Sequence, residues 1–228
     1  MCGRYALALT GDAVAAALQA TPVLPAILAW RERFNIAPSQ DALVVVRGKD
    51  GSRKLTTMRW GLVPLWATDA AIGRRLTNAR SESVAGKPAF RDAWRDRRCL
   101  IPATAFYEWQ APFDPSTKVK RPYAIAMGDG RPFTFGGLWE RSTALDGAPV
   151  HTFAIITADA NELMRPIHDR MPLIVQEESR NRWLTGDPPS ELLAPLASRS
   201  PLDAMRAWRV STLVNSPRND SELCVAPE

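Results

Sequence analysis

The second residue of the chain is a cysteine, and its chemistry depends on what precedes it. Methionine aminopeptidase removes Met1 when the next residue is small, as Cys is. Cys2 then carries an α-amine and a β-thiol on adjacent carbons. The amine titrates near about 8 and the thiol near about 8.5, so each has a reactive fraction at neutral pH. Such a 1,2-aminothiol captures an aldehyde in two steps. The amine condenses to a Schiff base, and the thiolate closes it to a five-membered thiazolidine. Neither Cys99 nor Cys224, both internal, can do this. Gly3 lets the backbone approach a ligand closely, and Arg4 can hold a phosphate beside the reacting end.

Three further stretches carry polar groups in suggestive company. In Thr77-Asn78-Ala79-Arg80-Ser81-Glu82, Asn78 offers a donor and an acceptor on a short arm, and Arg80 can grip a phosphate. In Ala105-Phe106-Tyr107-Glu108-Trp109, a carboxylate sits among aromatics. On a strand Phe106, Glu108 and Gln110 share one face, and desolvation there would raise the pKa of Glu108 and suit it to proton transfer. In Arg165-Pro166-Ile167-His168-Asp169-Arg170-Met171-Pro172, prolines stiffen the loop around His168, an imidazole able to shuttle protons near neutral pH. Each has a plainer reading: a polar loop, a solvent-facing glutamate, a structural histidine. His151 reads as structural. Trp66, beside a Gly/Pro turn, can stack on an unpaired base, although most of the tryptophans should pack in the core.

These residues need elements to hold them. Asp12 to Ala20 is alanine-rich, with Thr10 or Asp12 placed as a cap, and reads as a helix. Leu43 to Arg47 and Lys54 to Trp60 flank the turn Gly48-Lys49-Asp50-Gly51 and read as a hairpin. Pro88 to Trp94 reads as a short helix. Cys99–Ile101, Phe106–Gln110, Tyr123–Met127, Phe133–Trp139, Thr152–Thr157 and Ala207–Leu213 read as strands. Asp114 to Arg121 reads as a basic loop, and Glu177–Leu184 and Ser190–Ala197 as helices. Strands that do not alternate with helices argue for a mostly antiparallel α+β fold and against a doubly wound parallel sheet. No internal repeat or low-complexity linker divides the 228 residues, which are expected to form one domain over 1–228.

Composition narrows the classes. No apolar run reaches membrane-spanning length, and the first residues lack the order of a signal peptide, so a cytoplasmic, nucleoid-associated protein is expected. Three scattered cysteines fit neither a disulfide framework nor a zinc site, and no metal or cofactor is expected. The net charge is +5, and only five of the 29 basic residues are lysines. Arginine is the better fork for phosphate oxygens, although a GC-rich genome would give the same bias.

Taken in order, several stretches resemble the SOS-response-associated peptidase (SRAP) family of abasic-site processing proteins. They are Met1-Cys2-Gly3-Arg4-Tyr5, Asn35-Ile36-Ala37-Pro38, Trp60-Gly61-Leu62-Val63-Pro64, Asn78-Ala79-Arg80-Ser81-Glu82, Arg98-Cys99-Leu100-Ile101-Pro102-Ala103, Phe106-Tyr107-Glu108-Trp109 and Ile167-His168-Asp169-Arg170-Met171-Pro172, with Val210-Ser211 and Val214-Asn215 near the end. The resemblance implies twisted, mostly antiparallel sheets forming a barrel-like core with flanking helices. It implies that Cys2 captures the ring-opened aldehyde of an abasic site in single-stranded DNA as a thiazolidine crosslink, with lyase-like and autopeptidase activity. Asn78 would orient Cys2, Glu108 would serve as acid and base, and His168 would assist proton transfer or hold the aldehyde and its neighbouring phosphate. Arg4, Arg80 and, more weakly, Arg170 would bind phosphates, with Gly3, Pro38 and Trp66 along the DNA path, and a monomer is expected. One departure stands out: Thr104-Ala105 replaces the usual Asp-Gly, and Ala105 would not suit a backbone of positive φ. Competing readings are a cysteine peptidase or N-terminal nucleophile hydrolase using Cys2, and a non-covalent binder of single-stranded or modified DNA.

Overall fold

The computed structural model describes residues 2–25, 27–112, 116–117, 119–145, 148–185 and 204–228. In chain order its strands are β1 (Tyr5–Leu7), β2 (Thr21–Pro22), β3 (Arg33–Ile36), β4 (Asp41–Arg47), β5 (Arg53–Trp60), β6 (Asn78–Arg80), β7 (Arg98–Ala103), β8 (Ala105–Gln110), β9 (Arg121–Met127), β10 (Phe133–Leu145), β11 (Ala148–Asp159), β12 (Arg170–Pro172) and β13 (Met205–Arg209). The helices are α1 (Gly11–Leu18), α2 (Arg91–Asp96) and α3 (Arg180–Thr185).

The β-branched run Val44-Val45-Val46 forms the middle of β4, which pairs antiparallel with β5 from Asp41↔Arg59 to Arg47↔Arg53. Gly51, at φ +81, makes the intervening turn that a side chain would strain. β5 also pairs parallel with β11 at Thr152↔Arg59 and Phe153↔Trp60. With β11–β10, β10–β7 and β7–β4, this closes a five-strand ring. The second sheet, in the order β13-β9-β8-β1-β3, has antiparallel neighbours throughout. Tyr5, at the start of β1, meets Trp60 and Phe135 at ring distances of 5.4 and 5.7 Å. These contacts tie the N-terminal strand to the barrel interior. The α+β class and barrel-like core expected from the family resemblance are thus observed.

The Thr10 hydroxyl caps α1 by accepting from Ala13 N–H, as expected. α2 begins three residues later than its proline suggested, and Glu177–Leu184 is a short 3-10 turn followed by α3. The last strand ends at Arg209; Thr212–Asn215 is a 3-10 turn. Ser190–Ala197 and part of the basic loop lie outside the described residues. Ala105 lies in β8 and, unlike Gln19 and Ser39, does not have positive φ. The Thr104 hydroxyl accepts from Ala8 N–H at 3.0 Å, fastening the loop to the end of β1. Among the described residues no helix is long and apolar enough to cross a membrane.

Candidate active site

The site forms where the start of the chain meets the C-terminal half of β8. Tyr107 N–H donates to Arg4 O at 3.0 Å, extending the β1–β8 pairing to Arg4 and leaving Cys2 beyond it. Strand alternation does the rest. Phe106 packs into the main core, whereas Tyr107 and Trp109 join a smaller cluster on the opposite face. Glu108 therefore points to the Phe106 side and is only 2% exposed. Burial pushes its carboxyl up to about 7.

Cys2 is fully buried. Burial, reinforced by the nearby charge of Glu108, raises its thiol well above the usual range. β6 runs parallel to β11, with Asn78 opposite Ile155. From there Asn78 Nδ2 donates to Cys2 O at 2.9 Å. Its Oδ1 is buried and finds no partner among the described residues, an acceptor left open beside Cys2.

His168 arrives from the turn that leads into β12. Its N–H donates to Met164 O, and Gln110 Nε2 on β8 donates to Pro166 O at 2.9 Å, binding the turn to the strand that carries Glu108. Its Nε2 lies 3.9 Å from Glu108 Oε2. Two groups claim Nδ1: Arg170 N–H at 3.0 Å, which needs a lone pair, and Asp169 Oδ1 at 2.8 Å, which needs a proton. The backbone donor is fixed by β12, while the Asp169 side chain is 86% exposed and well hydrated. Nδ1 is therefore assigned as the acceptor, with the proton on Nε2 facing Glu108. Burial lowers the imidazole pKa, in keeping with a neutral ring. Beside it opens a cleft of about 840 Å³, lined among others by Trp109, Gln110, Lys120, Arg121, Arg165 and His168.

The family model for SOS response associated peptidase (SRAP) matches residues 1–217. The chain belongs to the SRAP family. Among its relatives, the abasic site processing protein YoqW of Bacillus subtilis is 41% identical over 225 residues, 97% of each chain. The abasic site processing protein HMCES of Xenopus tropicalis is 29% identical over 272 residues, covering 99% of this chain and 78% of that one. A solved structure of a Bacteroides thetaiotaomicron protein superposes with a TM-score of 0.83 at 26% identity, over the full length of both chains.

The other expected site residues of this SRAP protein divide by how their charge is used. Arg170 donates to Glu82 and Asp159, each at 2.6 Å, and to Thr157 O. Two carboxylates thus compensate its guanidinium. Arg80 is exposed on β6 and makes no ion pair among the described residues. Among the described residues Arg4 is held by neutral oxygens alone, those of Asn35 and of the Val214 and Asn215 backbone, and lies 5.8 Å from the Trp109 ring. Gly3 is half-buried between Cys2 and Arg4. Pro38 and Trp66 stand on two loops joined where Ser39 N–H donates to Trp60 O at 2.8 Å. Trp66 is 58% exposed. Its loop is set by Gly61, at φ +129, where a Cβ would meet Gly73 O at 2.7 Å. Cys2, Asn78, Glu108 and His168 thus come together, while Arg170 is paired with Glu82 and Asp159. Sequence reasoning misses Arg121 and Arg165 as cleft cations and misses what Asn35 does. The basic loop before β9 is the available signal for Arg121. Among the described residues no cluster of His, Cys, Asp or Glu is gathered to hold a metal ion.

Proposed function

We propose that the protein acts on abasic sites in single-stranded DNA in the DNA damage response. With Met1 removed, it crosslinks covalently to the ring-opened sugar through Cys2. The reading is supported by one observation above all: a carboxyl held near pKa 7 and a neutral imidazole stand beside a buried cysteine at the start of the chain. The names of the relatives point the same way.

The electrostatics set the order of steps. A thiol whose pKa is raised by burial and by Glu108 is a poor leading nucleophile, so the α-amine adds first to the aldehyde carbon. Glu108, in its protonated form, gives its proton to the departing hydroxyl, water leaves, and an iminium remains. The Cys2 sulfur then bonds to the same carbon while its proton passes to the Glu108 carboxylate. The products are a thiazolidine and one water, with Glu108 restored. His168, with its proton on Nε2, passes protons between Glu108 and the sugar hydroxyl. Asn78 fixes the Cys2 carbonyl and offers Oδ1 to the new amine. Arg4 and Arg80 hold the flanking phosphates, Pro38 and Trp66 guide the strand, and Gly3 leaves room for the sugar. A monomer working on DNA in the cytoplasm suffices for this chemistry.

The test is a denaturing gel. Protein confirmed by mass to begin at Cys2 is mixed with a single-stranded oligonucleotide bearing one abasic site, beside Cys2→Ala and Cys2→Ser. A heat-stable shifted band only with Cys2 is expected. Its absence would overturn the reading, and cleavage of peptide substrates in its place would favour a peptidase.

A further inference from the structure

We infer that Asn35, a residue that touches no substrate in the scheme above, is the positioning residue that aims Arg4 at phosphate. The inference rests on the proposed DNA function and deepens it. Asn35 is fully buried at the heart of β3. Its Nδ2 faces three backbone oxygens of the C-terminal segment, Val214 O at 3.2 Å, Ser216 O at 3.0 Å and Asn219 O at 2.7 Å. Its Oδ1 accepts from Arg4 Nη1 at 2.9 Å. A flipped amide would set Nδ2 against the Arg4 donors and Oδ1 against three carbonyls, so the neighbours fix the orientation.

The clamp is itself held. Asp220 Oδ1 accepts from Asn35 N–H at 2.9 Å and from Phe34 N–H at 2.5 Å, and Oδ2 pairs with Arg33. β3 is an edge strand, and this carboxylate covers the backbone donors that the sheet leaves open there. Arg4 Nη1 also donates to Val214 O at 2.5 Å, and Trp109 Nε1 to Asn215 Oδ1 at 2.7 Å. A segment more than 200 residues away in sequence thus fastens the residue next but one to Cys2.

The acceptors are all neutral. No carboxylate pairs with Arg4 among the described residues, in contrast to Arg170. Neutral acceptors fix the guanidinium without cancelling its charge, which stays available to an anion. A preorganised cation loses little side-chain freedom when phosphate arrives.

The experiment reads the salt dependence of affinity for a single-stranded abasic oligonucleotide in the Cys2→Ala background. Loss of one phosphate contact lowers the slope of log affinity against log salt by about 0.7. Arg4→Ala is expected to show that decrease. Asn35→Ala, although it removes no charge, is expected to show it too, and the double variant should lose nothing further. Arg4→Lys keeps the charge but has no second nitrogen to reach Asn215 O, as Nη2 does while Nη1 serves Asn35 Oδ1 and Val214 O, so it is held less firmly and should bind like Arg4→Ala. A folded Asn35→Ala with the wild-type slope, or Arg4→Ala with an unchanged slope, would overturn the inference. Should Asn35→Ala not fold, Arg4→Lys decides alone, and wild-type binding by it is the overturning result. Crosslinking by the Cys2 protein is scored separately, so failure of the covalent reading is distinguishable from failure of this one.

Discussion

His168 presents Nε2 to the Glu108 carboxylate at 3.9 Å while its Nδ1 accepts the backbone N–H of Arg170 at 3.0 Å. The separation exceeds a direct hydrogen bond, so a small rotation or a bridging water must complete the proton path. The backbone bond fixes which nitrogen can take part. A relay of this kind needs a carboxyl that is half protonated under working conditions, and burial supplies it at Glu108.

Crosslinking rate should follow a bell in pH. The amine must be neutral, with a pKa near about 8, and Glu108 must be protonated, with a pKa about 7. The product of the two fractions peaks near about 7.5 and falls on both sides. In Glu108→Gln the alkaline fall should disappear and the rate drop by roughly 10²–10⁴. Single-turnover gels across pH 5–9 check both; a retained alkaline limb would assign it to another group.

Glu108→Gln should also stabilise the fold at alkaline pH. The folded pKa, about 7, lies above the ordinary glutamate value of 4.5, so the native state binds more protons between those values. Wild-type stability therefore falls as pH rises through that window. An uncharged Gln escapes a cost of up to about 3 kcal/mol at pH 8. The gap between the melting temperatures should open from pH 4 to pH 8; a constant gap would contradict it.

His168→Gln should slow crosslinking by roughly 10²-fold or more with affinity nearly unchanged, because it removes a proton carrier and no phosphate ligand. Asp169→Asn should do little, since that carboxylate is 86% exposed and the backbone of Arg170 already sets the tautomer. Equal losses in the two variants would show that Asp169 governs the imidazole.

Arg80 and Arg170 should separate cleanly. Arg80→Ala, exposed and without an ion pair among the described residues, should weaken binding and lower the salt slope by about 0.7 with the melting temperature unchanged. Arg170→Ala should leave the slope alone and destabilise by roughly 1–3 kcal/mol, because its guanidinium braces Glu82, Asp159 and Thr157 O. Parallel salt titrations and melts check the pair.

Trp66→Ala should lower affinity by about 1–3 kcal/mol if the indole stacks on a base, and leave stability untouched because the ring is 58% exposed. Competition binding with abasic and intact single strands measures it.

The chain by itself singled out the candidate nucleophile, because only Cys2, once Met1 is removed, can carry an amine as well as a thiol. The alternation of β8 likewise placed Glu108 on the Phe106 face before any coordinates, and the ordered motifs fixed the family and its barrel. Short elements such as β1, β3, β6 and β12 escaped, since three or four residues carry too little periodicity and form only when a neighbour pairs with them. Only the tertiary structure decided which arginines meet a compensating carboxylate. Arg4, Arg80 and Arg170 look alike as residues, yet among the described residues Arg170 meets two carboxylates and Arg4 only neutral oxygens. Those partners come from Asn35 and from Val214 and Asn215 near the other end of the chain, and a contact across that distance has no local signature.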